Sequence, residues 1–324
     1  MNNIGKKSWW GIVAFAVCLL LAMAVGVGSK YMASNKIDHP KKIKVFVSIL
    51  PQKYFVERIG GDLVSVEVMV GPGQNPETYE PLPRQMKALT TTQLYFRIGV
   101  PFESAWIDKL QALNRELILV DTREGIPLRN METPHFHGDP ERTAAATPAR
   151  QGHDGEGLKD PHIWLDPLYV KIQAETICQA LAAFDPAHRD LYEANLIAFQ
   201  KDLDELDQEL AATFRSLAVK KLMVFHPAWG YLTDRYGLEQ IPLEVEGKEP
   251  GPRELAHWVD YAKNEGIRVI FIQSQFNAAA AEAVACAVNG QVVSLDPLAE
   301  DYLANMRRIA RTIKRSHGAD GECY

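Results

Sequence analysis

Two blocks of alternating strand and helix segments flank one long amphipathic helix, and this arrangement constrains the fold more than any other feature of the sequence. In the first block, residues 43–50, 64–70, 94–98 and 116–120 are rich in β-branched and apolar side chains and read as strands. Pro51 closes the first of them. Residues 54–59, 83–90 and 103–113 read as helices, the first ending at Gly60-Gly61. In the second block, strands are expected at 222–225, 240–244, 269–273 and 292–295, with helices at 231–236, 253–265, 277–288 and 302–315. Such alternation predicts βαβ units and mostly parallel sheets. Between the blocks lies a helix at 168–184, after which Asp185-Pro186 opens a second. Its apolar positions, among them Leu191, Phe199, Leu203, Leu206 and Leu210, recur at spacings of three and four to about Arg215. About 30 residues at 1.5 Å each give a rod of about 45 Å. It can run along two lobes as a spine, or pack within one.

With 324 residues, the chain is long enough for two domains of ordinary size. A net charge of −6 argues against nucleic acid as a partner and is compatible with a cationic ligand. Lys6 and Lys7 precede an apolar run from Trp9 to about Gly28, the pattern of an export segment. It can be cleaved after Ala22-Met23-Ala24, retained as an anchor, or, as a third reading, lipidated at Cys18. Each outcome puts the body of the protein in the periplasm or another extracytoplasmic space. Cys178, Cys286 and Cys323 form no Cys-x-x-Cys pair, so a zinc knuckle is not expected. A Cys286–Cys323 disulfide and three idle thiols both remain open.

Four Pro- or Gly-containing segments carry the chemistry: residues 73–81 with Glu77, 160–167 with His162, 225–231 with His226, and 294–298 with Asp296. Three follow expected strands, and the carboxyl edge of a parallel sheet is where ligands bind. Two imidazoles and two carboxylates suit zinc, manganese or ferrous iron better than magnesium. Each residue also has a plain reading, His162 and His226 as core-edge histidines, Asp296 as a turn or cap and Glu77 as a solvated carboxylate; spacing alone does not join them. Residues 133–160 break the α/β rhythm, are polar and proline-containing, and read as a long mobile loop with His135, His137 and His153. There is no nucleotide-binding Gly-x-x-x-x-Gly-Lys-Ser/Thr run and no His-Glu-x-x-His helix.

Taken in order with Val120-Asp121-Thr122, Asp185-Pro186, Tyr192-x-x-Asn195, Glu246-Gly247-Lys248-Glu249-Pro250 and Phe271-Ile272-x-x-x-Gln275-Phe276, these segments resemble the zinc/manganese solute-binding proteins of metal ABC importers, from about Lys44 to Ile313. The resemblance implies two α/β lobes joined by one long rigid helix, with a metal in the cleft between them. With the residue-level reading of the ends, the expected division is a signal or anchor at 1–28, a tether at 29–42, an N-terminal lobe at 43–185, the linking helix at 186–216, a C-terminal lobe at 217–316 and a tail at 317–324. The resemblance places the family's second, third and fourth ligands on His162, His226 and Asp296. The first is normally the histidine of a Pro-His-x-Tyr-Glu-Pro run. Here Pro76-Glu77-Thr78-Tyr79-Glu80-Pro81 substitutes Glu77, an oxygen donor that moves the preference toward manganese or iron. His135, His137 and His153 stand where zinc-type members carry a His-rich loop, a metal-gathering accessory. The function implied is capture of a divalent transition metal, zinc ahead of manganese or iron, and delivery by a monomer to a membrane permease. No enzyme activity is expected; a secreted metallohydrolase and a surface adhesin are the competing readings.

Overall fold

The computed structural model describes residues 42–132, 158–244 and 248–318. The export segment, the tether up to Lys41, His135, His137, His153, Glu246, Gly247, Cys323 and the tail from residue 319 lie outside them.

The first sheet is made of β1 (Ile43–Ile49), β2 (Val64–Val70), β3 (Leu94–Arg97) and β4 (Ile118–Asp121), in the order β2-β1-β3-β4, all parallel. The second is made of β5 (Lys221–Val224), β6 (Glu239–Pro242), β7 (Val269–Ile272) and β8 (Gln291–Ser294), in the order β6-β5-β7-β8, again all parallel. The central strands read as near-continuous apolar runs because helices cover both faces; in β1 only Lys44 is exposed. In each sheet the topology switches at the first strand. Loops leaving the carboxyl ends there converge on a crevice.

Around the first sheet lie α1 (Leu50–Gly60), α2 (Pro83–Leu89), α3 (Pro101–Leu113) and α4 (Pro167–Phe184). Pro51 does end the strand, but it also sits in the first turn of α1, where its missing N–H costs nothing, so that helix starts four residues earlier than expected. Asp166 caps α4 by accepting the Leu168 N–H at 2.9 Å. After a 3₁₀ turn at Pro186–His188 comes α5 (Arg189–Arg215), whose 27 residues make a rod of about 40 Å. Asp185-Pro186 therefore opens a tight turn ahead of the helix; Asp185 accepts from Tyr192 Oη at 2.9 Å and pairs with His188 at 2.7 Å. The C-terminal lobe adds α6 (Gly230–Tyr236), α7 (Pro252–Glu265), α8 (Ala279–Ala287) and α9 (Tyr302–Gly318).

The spine α5 packs on α1, α4 and α9, burying Tyr192, Phe199, Leu203, Leu206, Leu210 and Phe214. One continuous apolar core runs from β1 and α1 through α4 and α5 to Leu222, Val224, Phe271 and α9; a second, smaller core lies between α7, α8 and the second sheet. Polar ties also cross between the sheets' loops and helices. Arg235 on α6 forks onto Asp166 at 2.7–3.0 Å, and Trp164 Nε1 donates to the Pro297 carbonyl at 2.8 Å.

The last residues assigned to the mobile loop differ from that expectation. Met131 N–H donates to the Leu158 carbonyl at 2.8 Å, Asn130 bridges to Lys159, and Asp160 is fully buried. Backbone pairing with 129–131 orders residues 158–160. Cys286 is an exposed thiol and Cys178 a buried one.

Candidate metal centre

The loop after β2 is pinned from below. Gln85 on α2 donates to the Val68 and Met69 carbonyls at 2.8 Å and accepts from Tyr79 Oη at 2.6 Å, while Tyr79 packs edge-on against Phe102. Buried Tyr79 thus anchors the Pro76–Pro81 run, and Glu77 is held over the crevice, its side chain 28% exposed.

His162 lies just before a 3₁₀ turn at Ile163–Leu165 and is buried against Trp164. Its Nδ1 is 2.7 Å from Asp160 Oδ1, which also accepts the His162 backbone N–H at 2.9 Å. His226 follows β5, and its ring stacks on Phe276 at 4.9 Å. Its Nδ1 is 2.7 Å from Glu244 Oε1, and its Nε2 is 3.4 Å from Glu77 Oε1. A carboxylate oxygen only accepts, so in both rings Nδ1 carries the hydrogen and Nε2 is the atom left for a ligand. This carboxylate–imidazole pairing is the arrangement that orients metal-binding histidines and raises their basicity. The two rings meet edge to face with centroids 5.3 Å apart.

Glu77, His162 and His226 line one cavity of about 310 Å³, with Gln273, Gln275 and Phe276 beside them. That is room for an ion with attached water. Glu77, His226 and Glu244 present donor atoms within 4.8 Å of one another. Glu244 already spends an oxygen on Nδ1, so its role is to hold the ring. Burial opposes a charge on His226, but the hydrogen bond and charge of Glu244, with the charges of Glu77 and Asp160, outweigh it and hold the imidazole above its ordinary value of 6.5. Negative charge gathered around two imidazoles is an environment for a cation.

Asp296 stands apart from this group. It is half-buried, Oδ1 accepts the Leu298 N–H at 2.8 Å, and its neighbours Pro297 and Leu298, not Asp296 itself, line the cavity. The structure therefore sets three of the four expected ligands around one cavity, with Glu77 and His226 but not His162 in the group of donors within 4.8 Å of one another, and leaves the fourth in a turn.

Sequence reading missed Asp160 and Glu244. Asp160 was legible in principle, two residues before a histidine in Asp-Pro-His. Glu244 is the residue that follows β6 by two, where parallel pairing of β5 with β6 sets it beside His226. Other motif residues prove structural. Asn195 Nδ2 donates to the Ile59 carbonyl at the end of α1, and Thr122 Oγ1 donates to the Arg97 carbonyl.

The profile of the family described as ZnuA, zinc-uptake complex component A, periplasmic, matches residues 45–316. The chain belongs to that family. Members include zinc and manganese substrate-binding proteins of ABC transporters. The high-affinity zinc uptake system protein ZnuA of Bacillus subtilis is 26% identical over 297 residues, 90% of this chain and 89% of the relative. The manganese ABC transporter substrate-binding lipoprotein PsaA of Streptococcus pneumoniae is 25% identical over 277 residues, 81% and 82% of the two chains. A crystal structure of ZnuA is 41% identical with a TM-score of 0.78, covering 86% of this chain and 100% of that one; a ZnuA deletion mutant with zinc bound, also 41% identical, has a TM-score of 0.76. The ZnuA family is one of solute-binding proteins, and its members deliver metal ions to ABC permeases. Among the described residues, no helix is long and apolar enough to cross a membrane.

Proposed function

We propose that this protein captures zinc in the crevice between its two sheets and hands it to the permease of an ABC importer. The observation that carries the reading is the pair of buried imidazoles, each with a carboxylate on Nδ1 and with Nε2 left for a ligand, sharing a cavity with Glu77. His162, His226 and Glu77 supply two nitrogens and one anionic oxygen, a set that zinc accepts in tetrahedral geometry. Asp296 or a retained water completes the shell. His135, His137 and His153 gather ions without belonging to it. The zinc-uptake and zinc-bound relatives support the choice of metal; Glu77 and the manganese-transporter relative support manganese as the second reading.

Glu77→His is the variant that tests the choice. It makes the site softer and removes a negative charge, both in favour of zinc. The zinc-to-manganese affinity ratio, measured by competition with chelators, is expected to rise on the order of tenfold, about 1.4 kcal/mol of differential binding. Glu77→Gln keeps an oxygen but removes the charge, and weakens both metals. Affinities unmoved by either change would remove Glu77 from the ligand set.

A further inference from the structure

Arg129 is absent from the cavity lining, yet its contacts lead to both imidazoles. Its side chain is only 18% exposed and, among the described residues, meets three carboxylates from separate stretches of the chain. Nη2 donates to Glu132, Nε is 3.2 Å from Asp234 on α6, and Nη1 is 3.7 Å from Asp160 Oδ2. Asp160 is the carboxylate behind His162. Its Oδ1 is taken by the His162 ring and backbone, while among the described residues the buried Oδ2 has no donor and the buried Arg129 Nη1 no acceptor. A buried carboxylate oxygen lacking a hydrogen bond is costly, and the adjacent guanidinium is the group that compensates it.

The backbone around this pair is clipped in the same direction. Asp160 N–H donates to the Arg129 carbonyl at 3.0 Å; Tyr231 Oη donates to the Asp160 carbonyl at 2.9 Å and accepts the Arg129 N–H at 3.1 Å. Tyr231 and Asp234 belong to α6, which starts four residues after His226. A second strand of contacts runs from Glu132 to Gln240 Nε2 at 2.6 Å, and from Gln240 Oε1 to the Trp229 N–H at 2.7 Å. Gly230 makes the approach possible, since a Cβ there would lie 1.2 Å from Arg129 Nη1.

We propose that Arg129 is a positioning residue for metal capture: it holds Asp160 against His162 and locks that pair to the helix following His226, fixing the spacing of the two imidazoles before the ion arrives. The inference rests on the metal-capture reading above.

The experiment is zinc titration against a competing chelator for the intact chain and for Arg129→Gln, Arg129→Lys, Asp160→Asn, Gly230→Ala and the Arg129→Gln/Asp160→Asn double variant, with apo melting temperatures alongside. Arg129→Gln and Asp160→Asn are each expected to weaken zinc on the order of tenfold, the effect of losing a support behind a ligand. The double variant should bind no more weakly than the worse single variant, because both break one linkage. Arg129→Lys should recover part of the loss. Gly230→Ala should reproduce it with every ionisable group still present, and it decides the matter if Arg129→Gln does not fold. Wild-type affinity in Arg129→Gln and Gly230→Ala, or a double variant whose loss is the product of the singles, overturns the proposal. A wild-type chain that binds no zinc takes down the capture reading and this inference together; tight wild-type binding with indifferent variants takes down this inference alone.

Discussion

His226→Ala is expected to weaken zinc binding on the order of a hundredfold while leaving the circular dichroism spectrum unchanged, and His162→Ala to do the same. A structural zinc ion contributes roughly 10–16 kcal/mol of binding free energy. Shared among four donors, each is worth about 3 kcal/mol, or about two powers of ten. His226 should be the more damaging loss. Its Nε2 lies 3.4 Å from Glu77 Oε1, and removing the ring also strands Glu244, whose side chain is buried and faces Nδ1. His162→Ala strands Asp160 in the same way. Chelator competition reads the affinity, and calorimetry of the apo protein reads the fold. Titration curves identical to wild type in both variants would mean that the ion binds elsewhere.

Phe199→Ala is expected to cost about 3–5 kcal/mol of folding stability, the range for removing a large ring from a close-packed core. Phe199 is the middle of the spine. Its ring is fully buried, lies 6.0 Å from Tyr54 and 5.9 Å from Phe55, and carries the Arg58 guanidinium at 4.9 Å. Arg58 in turn pairs with Asp202 one turn further along the same helix. Because the main core is continuous from the first sheet to the second, the loss should lower one cooperative urea transition, reported identically by tryptophan fluorescence and circular dichroism. Two separated transitions, or a loss below about 1 kcal/mol, would show that the spine does not bind the lobes into one folding unit.

The architecture was legible because its signals are local. Val, Ile and Phe in short runs mark the strands, and a spacing of three and four from Phe199 to Leu210 marks the spine, although Leu191, read as part of the same stripe, is exposed. Helix starts were less legible where proline has two meanings: Pro51 both closes a strand and opens a helix. His162, His226 and Glu77 could be named from their loops, but only the resemblance joined them, because the sheets that bring residues 77, 162 and 226 together are built from pairings far apart in the chain. The supports were hidden for the same reason. Nothing near Glu244 in sequence marks it as the partner of His226, and Arg129 looks like any surface arginine until α6 is folded against it. Asp296 shows the converse: an aspartate before a proline reads as a turn or as a ligand, and in the structure its Oδ1 holds a turn.

The continuous core has a kinetic consequence. Hinged binders spend ligand energy on closing; here Trp164 donates across to Pro297, Arg235 grips Asp166, and shared apolar packing leaves little to close. The imidazoles surrendered their rotational freedom when the chain folded, so an arriving ion does not have to supply that entropy. The same stiffness acts against departure. An ion held by preset donors escapes slowly on its own, so dissociation measured for the isolated protein should be much slower than transport requires, and unloading becomes work done on this protein from outside, by whatever partner can strain the two halves apart.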